Sequence, residues 1–239
     1  MALKVFCDFD GTITLKDTTD EILSRFAGKE WESVEKDWLD GRFGSEECLR
    51  RQMRLVRADK KSIDSLIESI EIDPHFAEFV NLCGERQVPI YVVSDGFEYV
   101  INYVLNRGGF GQLEHYANTL IFQRDCVDTA FTNSKPDCDT CATCKVGLMN
   151  RLSGPGDTAI VIGDGFSDHY IAECADIVFA KKKLKKHCES NGIGFHPFET
   201  FKDVNRKMKE IIQSQEDGFE SKGKRKERIC SGIGALKAR

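Results

Sequence analysis

Asp8-Phe9-Asp10-Gly11-Thr12 carries two carboxylates one residue apart. In extended backbone alternate side chains leave the same face, so the pair points one way. Such acids could hold a hard cation such as Mg2+. They could also divide labour, one attacking phosphorus while the other moves a proton. A solvated acidic turn is the plain alternative, because Asp and Gly are turn residues. Ser94-Asp95-Gly96 offers a hydroxyl with the Gly96 N–H behind it, which can cradle phosphate oxygens or simply cap a helix. Lys145 opens a helical pattern and supplies a cation. In Gly163-Asp164-Gly165-Phe166-Ser167-Asp168, Asp164 could complete a metal site with Asp168 supporting it. An ordinary strand-to-helix turn is the alternative there.

These groups act together only if the chain brings them together. Residues 3–9, 89–94, 158–163 and 177–180 are short apolar, β-branched runs that read as buried strands of a parallel sheet. A further strand is expected near 118–122. Helical patterns cover 74–86, 97–107, 145–152 and 167–174. The alternation implies an α/β fold, a doubly wound parallel sheet. Such sheets put their sites at the carboxyl ends of the strands, where Asp8, Ser94 and Asp164 fall. Residues 17–72 break the alternation with amphipathic helical patterns and no strand, and read as a helical cap inserted after the first strand. The expected division is a core of 1–16 and 73–213, a cap of 17–72, and a polar tail of 214–239 that frays. Residues 111–143 read as a second, irregular insert.

The 239 residues are 41% apolar and 31% charged, which suits a folded chain with a sizeable core. No apolar run approaches the ~20 residues a membrane helix needs. The opening Met-Ala-Leu-Lys-Val-Phe-Cys-Asp meets an acid too early for a signal peptide, so the expectation is a cytoplasmic protein. The net charge of −5 argues against general nucleic-acid or membrane binding. An acidic body that handles an anionic substrate needs a local cation or aimed N–H groups. Among ten cysteines, Cys138, Cys141 and Cys144 are evenly spaced and could clip a structural Zn2+. Such a site usually has four ligands, and the fourth would come from elsewhere, for example Cys126. A tight turn of small residues and a redox pair are the alternatives.

The order of the motifs adds to each of them. An aspartate pair, a serine, a lysine and Gly-Asp-Gly-x-x-Asp, each at a strand end or helix start, resemble the four motifs of the haloacid dehalogenase-like phosphatases over residues 3–213. The resemblance implies an Mg2+-dependent phosphomonoester hydrolase acting on a small phosphorylated metabolite. It implies Asp8 as nucleophile forming an aspartyl-phosphate, Asp10 as acid and base, and Thr12 positioning Asp10. Ser94 and Lys145 would bind phosphoryl oxygens. Mg2+ would sit on Asp8, the Asp10 carbonyl and Asp164, with Asp168 nearby. This chemistry needs positioning and electrostatic stabilisation above all.

The cap position and Tyr116-Ala117-Asn118-Thr119-Leu120-Ile121 resemble the phosphoserine-phosphatase-like branch. That group reads the substrate amine with a Glu where this chain has Asp17. It reads the carboxylate with a cap Arg where Gln52 stands. Asp17, the cysteine-rich stretch before Lys145, and Ala175-Asp176-Ile177-Val178-Phe179-Ala180 are more similar to the methionine-salvage phosphatases of 2-hydroxy-3-keto-5-methylthiopentenyl-1-phosphate. Phosphoserine, phosphocholine and phosphoethanolamine remain alternative substrates, and Arg50, Arg51 or Arg54 could replace the missing Arg. Two other classes compete: a phosphoacceptor signalling domain, which would lack Asp10 and the cap, and a zinc-binding interaction module, which would not need the full acidic set. No Gly-x-Gly-x-x-Gly or Gly-Lys-Ser/Thr pattern supports nucleotide binding.

Overall fold

The computed structural model describes residues 2–124, 126–135, 138–216 and Cys230. The first strand, β1 (Leu3–Cys7), is followed by four helices: α1 (Thr18–Phe26), α2 (Glu30–Leu39), α3 (Ser45–Met53) and α4 (Lys60–Ile67). Then come α5 (Phe76–Glu85), β2 (Ile90–Phe97), α6 (Glu98–Arg107), and the hairpin strands β3 (Glu114–Phe122) and β4 (Val127–Ala130). After α7 (Lys145–Leu152) and β5 (Thr158–Gly163), a 3-10 turn at Phe166–Asp168 leads into α8 (His169–Cys174). The chain continues through β6 (Ile177–Ala180), α9 (Lys182–Asn191), β7 (His196–Pro197) and α10 (Phe201–Glu216).

The seven strands form one sheet in the order β4-β3-β2-β1-β5-β6-β7. Every pairing is parallel except that of β3 with β4. β1 lies centrally, Val5 against Ile90 on one side and Ile160 on the other. Its alternating side chains serve both faces. Val5 and Cys7 join a core with Phe76, Phe79, Val104 and Phe201, while Phe6 joins Val93, Val146, Met149 and Ile171 on the opposite face. Each fully buried aromatic or branched side chain of this kind contributes about 1.5–3 kcal/mol. Covering both faces is what makes the strands continuously apolar, as the sequence shows.

The differences from the sequence reading are local. β1 ends at Cys7 and β2 runs on to Phe97, with an irregular register between Val93 and Phe97. The segment 111–143 is less irregular than expected, because β3 starts at Glu114 and pairs with β4. Asp128 and Thr129 made β4 too polar and short to stand out, and a two-residue β7 ending in proline gives no periodic signal. Residues 17–71 hold helices and turns without a strand. The two ends of this stretch lie together: Thr14 bridges Ile72, and the Leu15 N–H donates to the Glu71 carbonyl at 3.0 Å. Its buried Ile22, Leu23, Met53, Ile63 and Ile67 share one apolar cluster with the sheet. The expected tail falls outside the described residues, except for the end of α10 and Cys230. No helix among the described residues is long and apolar enough to cross a membrane.

Candidate active site

Asp8 leaves the carboxyl end of the central strand, its N–H bonded to the Ile162 carbonyl at 2.9 Å. The chain then turns sharply, with the N–H groups of Thr12, Ile13 and Thr14 all donating to the Phe9 carbonyl. Gly11 takes φ +68°, and a Cβ there would lie 2.6 Å from Asp164 Oδ2. Glycine thus supplies both the left-handed turn and the room for a second acid. Asp8 Oδ1 accepts from Lys145 Nζ at 2.7 Å, and the same ammonium donates to Asp168 Oδ1 at 2.7 Å and Ser167 Oγ at 3.0 Å. Its three protons are thereby used. Asp168 Oδ2 accepts from the N–H groups of Asp164 and Gly165, each at 3.1 Å, so protein donors occupy both of its oxygens.

Burial pushes the Asp8 carboxyl well above the usual carboxylate range; Asp168 repels its charge further, Lys145 opposes this, and Asp164 and Asp10 add to the repulsion. For Lys145 burial acts downward, but Asp168, Asp8 and Asp95 outweigh it and the ammonium is held above its ordinary value. Oxygens of Asp8, Asp164 and Asp168 all lie within 4.8 Å of one another. One buried ammonium among so many carboxylates leaves an excess of negative charge, and the all-oxygen donor set suits a hard divalent cation.

Asp10 Oδ1 accepts from the backbone N–H of Thr18 at 2.9 Å and from its hydroxyl at 2.5 Å, while Oδ2 accepts from Ser94 Oγ at 3.2 Å. Burial raises the Asp10 carboxyl, and the bonds from Thr18 and Ser94 partly offset this. The hydroxyl of Thr12 is buried without a hydrogen-bond partner among the described residues. The contact to Asp10 expected of Thr12 is therefore made by Thr18, which sits at the start of α1. Ser94 is fully buried and accepts from the Gly96 N–H at 2.8 Å. A Cβ at Gly96 would come within 2.3 Å of Asp10 Oδ2, so only glycine lets this turn close on the acid. Asp95, which the sequence reading passed over, accepts from the Thr143 N–H at 2.9 Å, and Asn118 bonds its carbonyl at 2.7 Å. These bonds tie β2 and β3 to the loop that delivers Lys145. Burial lifts the Asp95 carboxyl to about 6 against the pull of Lys145.

Asp8, Asp10, Ser94, Gly96 and Asp164 line a cavity of about 330 Å3 whose far side comes from the helical insert. That side includes Asp17, Asp20, Glu35, Trp38, Cys48, Leu49 and Gln52. Trp38 meets Phe166 of the core edge-on at 5.3 Å. Asp17 is the N-cap of α1, its Oδ1 accepting from Thr19 and Asp20. Gln52 is 2% exposed and donates to Glu35 Oε2 at 2.9 Å. Among the described residues no arginine lines the cavity. Arg50 and Arg51 pair with Glu46 and Glu47 along α3 and lie over Phe131 and Phe43, and Arg54 faces Asp128 at 3.9 Å. Lys182 and Lys183 also line the cavity. A lysine run just beyond the strand at 177–180 was the signal for them, since sites in such sheets lie at strand carboxyl ends.

Two of the three evenly spaced thiols meet, Cys141 donating to the Cys138 sulfur. Among the described residues the sulfurs of Cys138, Cys141 and Cys144 form no group of metal-binding span. Their loop instead packs on the helical insert, the Ser45 N–H donating to the Thr140 carbonyl at 2.9 Å. Hydrogen bonding from Cys141 lowers the Cys138 thiol to about 5.

Residues 5–173 match the family model described as haloacid dehalogenase-like hydrolase. A protein of Bacillus cereus named 2-hydroxy-3-keto-5-methylthiopentenyl-1-phosphate phosphatase is 35% identical over 217 residues, covering 89% of this chain and 99% of its own length. A protein of the same name from Bacillus thuringiensis is 34% identical over 220 residues, with the same coverage. Among solved structures, a phospho-aspartyl intermediate analogue of phosphoserine phosphatase superposes with a TM-score of 0.68 at 22% identity, covering 87% of this chain and 98% of that one. The phosphoserine phosphatase from T. onnurineus gives 0.65 at 20% identity, covering 87% and 95%. Acids at the carboxyl end of the central strand, a buried lysine between two of them, and these likenesses over nearly the whole chain agree. The chain belongs to the haloacid dehalogenase-like hydrolases and is a phosphatase among them, with the fold that phosphoserine phosphatase structures share.

Proposed function

We propose that this phosphatase hydrolyses small organic phosphate monoesters with Mg2+, through an aspartyl-phosphate on Asp8. The observation that carries this reading is the meeting of Asp8, Asp10, Ser94, Gly96 and Asp164 around one cavity, above the buried Lys145. Asp8, Asp164 and the Asp10 carbonyl would hold the cation, with Asp168 beside them fixing Lys145 and the Asp164 backbone. Bound there, Mg2+ would offset the clustered carboxylates and the charge of the transferring phosphoryl group.

The chain's own groups do the rest. An Asp8 oxygen attacks phosphorus and the bond to the leaving oxygen breaks. Asp10, whose raised pKa suits a general acid, gives that oxygen a proton. Asp10 then takes a proton from water as the water attacks the aspartyl-phosphate, releasing phosphate and restoring the Asp8 carboxylate. Ser94 Oγ, held from behind by the Gly96 N–H, would turn its hydroxyl proton from Asp10 Oδ2 to a phosphoryl oxygen. Lys145 reaches the phosphoryl oxygens by giving up the neutral Ser167 hydroxyl, the weakest of its three partners. Residues 17–72 act as the cap over a core of 1–16 and 73–213. We assign no metal to Cys138, Cys141 and Cys144, whose three sulfurs form no group of metal-binding span among the described residues.

For the substrate we favour the methionine-salvage enol phosphate. Its support is the names of the similar bacterial proteins and the cavity wall: apolar Trp38 and Leu49 of the cap with Phe166 of the core, and Gln52 held by Glu35 where a carboxylate reader would stand. A second reading has its own observation. Asp20 and Glu35 share that wall with Trp38, a combination that suits a cationic head group, as in phosphocholine or phosphoethanolamine. The test is phosphate release from p-nitrophenyl phosphate with and without Mg2+, then kcat/KM for the salvage phosphate, phosphocholine, phosphoethanolamine and phosphoserine. The salvage phosphate is expected to lead. Phosphocholine in the lead would select the second reading, and phosphoserine in the lead would overturn both.

A further inference from the structure

Lys182 reaches into the acid cluster from the start of α9. Its Nζ donates to Asp164 Oδ2 at 2.8 Å and to the Gly11 carbonyl at 3.3 Å. The backbone there is unusual, because Lys182 has φ +46° and is one of two non-glycine residues with positive φ among the described residues. That region is unfavourable for a residue with a Cβ, and it persists where surrounding structure imposes it. The imposing contacts are visible. The Lys181 N–H donates to the Gly163 carbonyl at 3.2 Å and the Leu184 N–H to the Asp164 carbonyl at 2.9 Å. The start of α9 is thus tied to the backbone of the very acid that Lys182 pairs with. The burial is asymmetric: the Asp164 side chain is 11% exposed and that of Lys182 53%.

We propose that Lys182 is a tethered cation that competes with the divalent ion for Asp164 and thereby sets how tightly the site holds its metal. This rests on the reading of Asp164 as a metal ligand. One carboxylate oxygen cannot carry a close ammonium and a divalent ion in the same place, so each weakens the other's hold. The tether keeps the ammonium at high local concentration. Its exposure lets it swing into water without leaving a buried charge, which a fully buried lysine could not do. In the metal-free protein it offsets part of the clustered negative charge, so the site stays folded while empty of metal.

The test is Mg2+ binding by titration calorimetry to the full chain after chelator treatment and dialysis. Wild type is compared with Lys182→Met, Lys183→Met and Asp164→Asn. Lys182→Met is expected to bind Mg2+ at least about fivefold more tightly, the low end of ordinary coupling between sites. Lys183→Met, which alters the same cavity charge without the contact to Asp164, should change affinity by less than about twofold. Metal-free Lys182→Met should also melt below metal-free wild type, with the gap closing when Mg2+ is saturating. Unchanged or weaker binding by Lys182→Met would overturn the proposal, as would equal tightening by Lys183→Met. A different result would remove the metal reading itself and this inference with it: no Mg2+ binding by wild type and Lys182→Met, or undiminished binding by Asp164→Asn.

Discussion

Lys145 Nζ stands 2.7 Å from Asp8 Oδ1, with the lysine side chain 2% exposed and the aspartate 5%. A second carboxylate, Asp168, holds the same ammonium at the same distance. Removing the lysine leaves two buried acids facing one another, which is the costly way to break a buried ion pair. Lys145→Ala should therefore lose about 3–5 kcal/mol of stability in the absence of metal, as well as most of its activity. Urea unfolding at neutral pH measures the first and phosphate release the second. A variant as stable as wild type would show that the pair is not part of the folded frame.

Asp8→Asn keeps the shape of the side chain and removes the attacking charge. Turnover of p-nitrophenyl phosphate should fall at least a hundredfold, a barrier increase of about 2.7 kcal/mol. The circular dichroism spectrum and the thermal midpoint should remain those of a folded protein, because a neutral amide relieves the crowding of carboxylates around Asp8.

Thr18 and Thr12 separate positioning from proximity. Thr18 gives Asp10 both its N–H and its hydroxyl, whereas the Thr12 hydroxyl is buried without a partner among the described residues. Thr18→Val removes one of the two bonds and should lower kcat by about tenfold, the value of one ordinary hydrogen bond to a charged group. Thr12→Val deletes a hydroxyl that has nothing to lose and should leave kcat within about twofold, with stability equal or higher. The reverse ranking in steady-state kinetics would return the positioning role to Thr12.

Gln52 and Glu35 set what the cap can read. Gln52→Arg alone should place its guanidinium against Glu35, the present partner of Gln52, and gain little activity on phosphoserine. Gln52→Arg combined with Glu35→Gln frees that guanidinium for a substrate carboxylate. The double variant should raise kcat/KM for phosphoserine by about tenfold or more relative to either single change, within the usual range for a charged hydrogen bond. Equal kinetics in all three variants would place the specificity elsewhere in the cap.

His169 gives a pH dependence with a defined sign. Its ring stacks on His187 with centroids 3.7 Å apart and lies tilted against Phe166 at 4.4 Å. Burial first, and then repulsion from His187, lower its pKa from 6.5 to about 4. The unfolded chain therefore takes up a proton between those values while the folded chain does not. This contribution to stability is present above about pH 6.5 and is lost as pH falls toward 4. His169→Phe keeps the stack and removes the titration. Between pH 7 and pH 5 wild type should lose about 1 kcal/mol more stability than the variant, a figure discounted because the ring is only partly buried. Parallel losses in urea unfolding at the two pH values would contradict it.

Much of this molecule is legible in one dimension, and the reason is physical. A strand buried on both faces must be apolar throughout, so 158–163 and 177–180 stand out and match β5 and β6 residue for residue. Acids placed directly after such strands have one place to go, the carboxyl edge of the sheet, which is why Asp8, Asp10 and Asp164 could be named together. Contacts between side chains far apart in sequence leave no such trace. Tertiary structure alone decided that Thr18 rather than Thr12 holds Asp10, because helix α1 brings its N-terminus back over the turn. It decided that Arg50 and Arg51 lie along α3 on Glu46 and Glu47, because i,i+4 partners on a helix are closer than the cavity. It also decided that Lys182 meets Asp164, since two backbone bonds between the start of α9 and the end of β5 set that distance. Residue types and their order state which chemistry a chain can attempt; the packing of its elements chooses which of several identical side chains performs it.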